Sequence, residues 1–385
     1  MLARTVCGLS AALVLACGCR AVNADARDVE DAGVTPADDG GPLPDAGATE
    51  ADASEDAPSR LEPPIVRPVP GTAVETVAGS STKGSLDGAG AAAQFDNPVG
   101  VLVDPSGALL VTEYDGGRLR KIALDGQTST LTTGLFEPFA LVATDDAIYV
   151  QTDRDRNGGK GTDTGTLWKI ALTGGAPELV IESLGRPRGL ARLADGRVVV
   201  SDRTRHTISI LNPADRTLTP LAGSGAPGFV DGKGAAARFN EPYGTTVLPD
   251  GSILVADSRN HVIRRVTLDG DVTTFAGDGK PGMKDDADKR LARFDKPIDV
   301  AVDVAGNAFV SDRGNFRIRR IATSGSVETA AGDGTQGFAD GVGTATRFYG
   351  QEQLDVTPDG KVIYVSDGND GDGQPFHRIR RVAVP

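Results

Sequence analysis

The stretch FNEPYGTTVLPDGSILVADSRNHVIRRVTLDGDVTTFAG, residues 239–277, holds four short apolar runs separated by turn residues. Gly244–Leu248 leads into Pro249-Asp250-Gly251. Ile253–Ala256 ends at Asp257, ahead of a turn with Asn260. VIRRVTL reaches Asp269-Gly270, and VTTFAG closes the unit. Short β-branched runs bounded by Gly, Pro, Asn and Asp read as strands joined by tight turns. The unit recurs as FDKPIDVAVDVAGNAFVSDRGNFRIRRIATSGSVETAAG at 294–332 and opens again at 348 as FYGQEQLDVTPDGKVIYVSD. Its opening also stands at 95–113, 136–152 and 185–202. Six copies of four short antiparallel strands predict an all-β chain folded as a six-bladed β-propeller.

The last copy, ending FHRIRRVAVP, has three strands and lacks the fourth. The repeat body, in turn, opens on AVETVAGS (73–80), a fourth-strand pattern with no unit before it. The expectation is that 73–79 pairs with Arg378–Val384 and closes the ring, so that the propeller domain is 73–385 and no blade edge stays open.

Long glycine-rich links precede copies one, four, five and six, for example GSGAPGFVDGKGAAARF at 223–239. Three of them share DG-x-G-x-A-x-x-F, and the Phe that ends all four suggests a wedge between blades. The rest of each link is expected to lie above the central channel, on a face suited to recognition.

The pattern P-x-G-x-x-V-x-x-x-G-x-x-x-V-x-D-x-x-N-x-x-I-R, followed by AG-x-G and DG-x-G-x-A-x-x-F, resembles the NHL-repeat family over nearly the whole body. Two copies depart from it, with Thr152 at the strand-end acid of copy two and Gln351 at the Pro of copy six. The resemblance implies a propeller that serves as a binding platform or, in some members, as an enzyme. GRPRGLARLADGRVVVSD also looks like a segment of gluconolactonase-type propellers, which implies a channel metal held by Glu, Asn and Asp, although Arg188 stands where that Asn is expected.

Charge and cysteine narrow the function classes. The 385 residues carry a formal charge of −13, and the acidity is concentrated in 21–62. No basic patch interleaved with aromatics offers a phosphate-backbone footprint, so nucleic acid is not expected as a partner. All three cysteines, Cys7, Cys17 and Cys19, lie in the first 20 residues, which leaves the body without disulfide or thiolate chemistry. The opening MLARTVCGLSAALVLACGC has Arg4, a short apolar run and small residues, as in a secretory signal. Val14-Leu15-Ala16-Cys17 resembles a bacterial lipobox, giving a signal peptide 1–17 with Cys17 (or Cys19) as the acylated residue. Residues 18–72, rich in Asp, Ala, Pro and Gly, read as a disordered tether. The expected place is the bacterial cell envelope, extracytoplasmic and membrane-anchored, or secreted if the cysteine is not lipidated.

Candidate sites follow from the repeat register. Residues near the start of each first strand should converge on the channel mouth: Arg186, Arg188, Tyr243, Asp299, Glu352 and Gln353 are the proposed ligand-binding set. Asp153, Asp155 and Asn157, ahead of Gly158, match the start of a D-x-D-x-N-G calcium loop and point to Ca²⁺ as a bound ion. His206, His261 and His377 share one register in copies three, four and six, too far apart around a ring to hold one zinc. The strand-end acids Glu113, Asp202, Asp257, Asp312 and Asp367 read as turn residues accepting backbone N–H groups. No nucleophile–base pair, phosphate loop or HExxH is present. The sequence therefore predicts a monomeric binding or scaffolding module for a protein, glycan or small molecule, with a metal-dependent lactonase- or lyase-like enzyme as the alternative.

Overall fold

The computed structural model describes residues 73–368 and 376–384; the signal 1–17, Cys17, Cys19 and the tether 18–72 lie outside the described residues. Six antiparallel sheets follow one another around a ring. Blade four is typical, with strands Pro242–Val247, Ile253–Asp257, Val262–Val266 and Asp271–Ala276 running from the axis outward. Second strands such as Ile253–Asp257 and Ala308–Asp312 are buried along their whole length, because neighbouring blades cover both faces. That double burial explains their unbroken apolar runs. The outer strands show a mixed pattern, as Asp271–Ala276 does.

Ring closure is as the sequence predicts. Ala73–Ser80 pairs antiparallel with His377–Ala383, from Val74 opposite Val382 to Ser80 opposite His377, with a bulge between Thr76 and Ala78. It is the outer strand of blade six. Val74 and Ala78 are buried there.

First strands of adjacent blades approach closely at the glycine of the P-x-G motif. A Cβ added to Gly244 would stand 1.8 Å from an oxygen of Asp299 in the next blade. Glycine is thus required by the neighbouring blade.

The links depart in part from the expected placement. Those to blades four and five begin on the face of the second-to-third-strand turns, where Asn260 and Asn315 donate to the Gly228 and Gly282 carbonyls, and then leave it. The link to blade four runs down the outer edge of that blade, where Gly232 and Lys233 pair with Val272 and Asp271 as a fifth strand. Links to blades one and six do the same through Gly88–Ala89 and Gly341–Val342, and the link to blade five does so through Asp286 opposite Val327. At the bottom, Gly234 turns the chain with φ of 55°, a left-handed conformation that explains the second glycine of DG-x-G. The chain then returns upward, and Phe95, Phe239, Phe294 and Phe348 are wholly buried, as expected for wedges between blades.

Candidate functional site

Each long link is anchored by one buried arginine. Arg264, on the third strand of blade four, is fully buried. Its Nη1 donates to Asp257 Oδ2 (2.8 Å) and the Arg238 carbonyl (3.1 Å); its Nη2 donates to the Val230 carbonyl (3.0 Å) and Asp231 Oδ1 (2.6 Å). The guanidinium lies 5.2 Å from the centre of the Phe239 ring. Such a fork satisfies both carboxylates and two link carbonyls at once. Asp231 also accepts from the backbone N and hydroxyl of Thr274 on the outer strand. Arg120, Arg319 and Arg380 repeat the arrangement with Glu113 and Asp87, Asp312 and Asp285, and Asp367 and Asp340. The strand-end acids therefore do more than cap turns: four of them are counter-ions to buried arginines.

Blades two and three have neither such a link nor an arginine at this third-strand position. The cross-strand pair that reads Arg264–Thr274 in blade four is Trp168–Leu179 in blade two and Ser209–Pro220 in blade three. Without a buried guanidinium, the strand-end acid of blade three, Asp202, has its Oδ2 3.6 Å from Nε of Arg205, which reaches it from the face of the ring. On that face, where the first strands begin, a recess of about 540 Å³ is lined by Thr162, Asp163, Arg186, Arg203, Thr204, Arg205, His206 and Glu241. Arg186, Arg203 and Arg205 are each partly exposed.

The predicted channel-mouth residues are brought together only in part, and they bind one another. Arg188 is buried over the Phe139 ring at 4.2 Å and holds Asp153 with both Nη atoms, Nη2 at 2.6 Å. Gln353 Nε2 donates to the Arg188 carbonyl (3.2 Å). Blades three and six face each other in a six-blade ring, so this bond spans the axis. Tyr243 packs edge-on against Phe139 at 6.4 Å, with Arg203 over its other side at 5.2 Å. Asp299 is buried and accepts the N–H groups of Leu354 and Val300, each at 2.9 Å; burial without a cation raises its carboxyl well above the usual range. Glu352 pairs with Arg313 at 3.3 Å, and Arg186 points instead to the recess. Beneath the bridge, a cavity of about 290 Å³ is lined by the later halves of all six first strands, including Asp355, whose carboxyl burial pushes up to about 6.

The residues proposed for calcium separate into two roles. Asp153 faces inward to Arg186 (2.5 Å), Arg188 and the Tyr114 hydroxyl (2.8 Å). Burial opposes its ionisation, yet the two guanidiniums outweigh burial and hold its carboxyl far below the usual range. Asp155 accepts from the backbone N of Asn157 and of Gly159, each at 2.8 Å, and so caps its own turn. Asp153 is thus the counter-ion of a buried arginine, and among the described residues no group of three or more His, Cys, Asp or Glu side chains is placed to hold a metal ion.

The histidines are latches between blades. Nδ1 of His206, His261 and His377 accepts the N–H of Glu241, Lys296 and Asn97, the residue before the first strand of the next blade, at 3.0–3.1 Å. Sequence reasoning placed them in one register but did not identify that bond. It also missed Arg203, Arg205 and Asp163; the available signal was the lack of a long link before Phe136 and Gly185.

A family model described as NHL repeat matches residues 184–211 and 239–265, which span the openings of blades three and four. The propeller carries NHL repeats. Among relatives of this NHL propeller, Protein SUPPRESSOR OF QUENCHING 1, chloroplastic, of Arabidopsis thaliana is 33% identical over 124 residues, 32% of this chain and 12% of that protein. NHL repeat-containing protein 2 of Gallus gallus is 32% identical over 130 residues, 34% of this chain and 17% of that protein. The matched stretch thus spans less than a fifth of either relative. In fold, the chain is similar to an auxiliary nutrient binding protein from Bacteroides thetaiotaomicron, with a TM-score of 0.65 and 17% identity over 81% of this chain and 76% of that one.

Proposed function

We propose that this NHL propeller is an extracytoplasmic binding module. An acyl chain on Cys17 (or Cys19) would hold it to a membrane, and residues 18–72 would act as the tether. The ligand would enter the recess over blades two to four and would be a small molecule or the end of a glycan. The observation that carries this reading is the contrast at one face: the axis is bridged by Gln353 and Arg188, while the recess beside it stays open and lined with partly exposed polar side chains. Its volume falls in the range of small-molecule sites. The nutrient-binding description of a similarly folded protein is consistent with it.

Two experiments test the proposal. Cys17→Ala should move the protein from the membrane to the soluble fraction; retention in that variant and in Cys19→Ala would count against the anchor. Ligands captured from envelope extract should protect wild-type protein from heat, since a ligand bound only to the native state raises its melting temperature. Protection that survives replacement of Arg203 and Arg205 would remove the recess as the site.

A further inference from the structure

The recess has an unequal supply of hydrogen-bond donors and acceptors. Arg203 uses Nε and Nη2 on Glu241, at 3.0 and 2.9 Å, and its Nη1 carries no bond within the described residues. Arg205 uses Nη2 on Asp163 and the Ser183 carbonyl (2.8 Å), which leaves its Nη1 uncommitted among the described residues. Among the described residues, Arg186 donates through Nη2, to Asp153. His206 accepts the Glu241 N–H at Nδ1, so its neutral ring carries the proton on Nε2, a further donor on the recess wall. On the acceptor side, Glu241 is occupied at Oε2 by Arg203 and faces Arg259 at 3.3 Å through Oε1. Thr204 has its hydroxyl on Asp202. Asp163 binds Arg205 and the Gly185 N–H (3.1 Å) through Oδ1, which leaves its Oδ2 available among the described residues.

Guanidinium groups with open N–H positions match the paired oxygens of a carboxylate. A recess of about 540 Å³ is much larger than one anion, so the rest of the ligand is a neutral polar body. Asp163 Oδ2 and the Thr162 hydroxyl suit hydroxyl groups on that body. We infer that the recess binds an acidic sugar or a sugar-sized hydroxy acid, its carboxylate held by Arg186, Arg203 and Arg205. This rests on the reading that the recess is the ligand site.

The test uses calorimetry on the whole protein with D-galacturonate, D-galactose and inorganic phosphate as probes. Galacturonate should bind with Kd of about 1 mM or tighter, and galactose at least about tenfold more weakly. The double variant R203Q/R205Q should weaken galacturonate by at least about tenfold. R320Q, on the third strand of blade five, should leave it unchanged. Equal binding of galactose and galacturonate would overturn the acidic class while leaving the recess as the site. Phosphate binding as tight as galacturonate would show that a free anion suffices and overturn the sugar body. Galacturonate binding that ignores R203Q/R205Q would place the site elsewhere and overturn both readings, and no binding of galacturonate would overturn the inference alone. Loss of the native circular dichroism in R203Q/R205Q would be resolved by R203K/R205K, which keeps charge but loses the fork and should still weaken galacturonate.

Discussion

Blades one, four, five and six differ from blades two and three by a set of changes that travel together. The first group has a descending link, a buried arginine, a threonine opposite it on the outer strand, and, at the junction into the blade, His377, His206, His261 or Phe316. The second group has no long link, Trp168–Leu179 or Ser209–Pro220 as the matching pair, and Gly117 or Gly165 at the junction. The link is the cause. It brings an aspartate and carbonyl oxygens into the widening outer gap between blades, and only a long, forked cation can satisfy them there. With no link, those acceptors are absent, and a buried arginine would be an uncompensated charge. Pro220 has a second reason: the outer strand of blade three has no fifth strand beside it, and proline blunts an exposed edge. The recess lies at the junction into blade three, which has no such link.

The comparison can be broken at several points. Deleting 73–79 removes the outer strand of a link-bearing blade and opens the ring; the expected result is loss of cooperative unfolding in calorimetry, and a single transition at the wild-type temperature would refute closure. Arg264→Ala strands Asp257 and the link acceptors, and should cost about 3–5 kcal/mol in chemical denaturation, the penalty for removing one partner of a buried pair. Ser209→Ala, at the same place in blade three, should cost less than about 1 kcal/mol. Similar losses for both would show that the link does not set the difference.

The histidine latches give the comparison a pH signature. Burial lowers the imidazole pKa of all three, against nearby Asp202 and Glu241 at His206, Asp295 at His261, and Asp96 at His377, with Arg259, Lys296, Lys83 and Arg378 acting in the same direction as burial. A group whose folded pKa lies below its unfolded value stabilises the fold fully above about pH 6.5 and loses that contribution as pH falls below it. The latches' contribution should therefore be lost as pH falls from 7 toward 5, opposed by the buried carboxyls of Asp257, Asp312 and Asp355, which burial pushes up to about 6 and which favour the fold as pH falls. The variant H206Q/H261Q/H377Q should lose less stability, or gain more, than the wild type over that range, and an identical pH dependence would remove the latches as a source. The smallest effect is expected at Pro220→Thr, which should leave stability within about 0.5 kcal/mol but increase concentration-dependent association in light scattering.

Much of the fold was legible because propeller signals are local. Pro249-Asp250-Gly251 and Asp269-Gly270 announce their hairpins within a few residues, and the orphan strand at 73–80 matched a vacancy at the other end. The clamp was half legible: the I-R of the motif was visible, but Asp231 lies 33 residues from Arg264, and nothing local ties them. Asp153 misled for the same reason. Its spacing to Asp155 and Asn157 suggests an oxygen cage, while its partner Arg188 is 35 residues away. The recess was least legible, because its lining comes from separate stretches, 162–163, 186, 203–206 and 241, that only the ring brings together.

Closure by Ala73–Ser80 also orders events in time. Glu75 and Arg381, paired across that ladder, are 306 residues apart. The strand made first is completed by the strand made last, so translation delivers five blades and most of the sixth before the clasp can engage. Loop-closure entropy grows only slowly with length, but such remote pairing slows folding. Until the last strand arrives, the unfinished molecule presents an exposed sheet edge, and this period is when the protein is most open to aggregation and most in need of a chaperone.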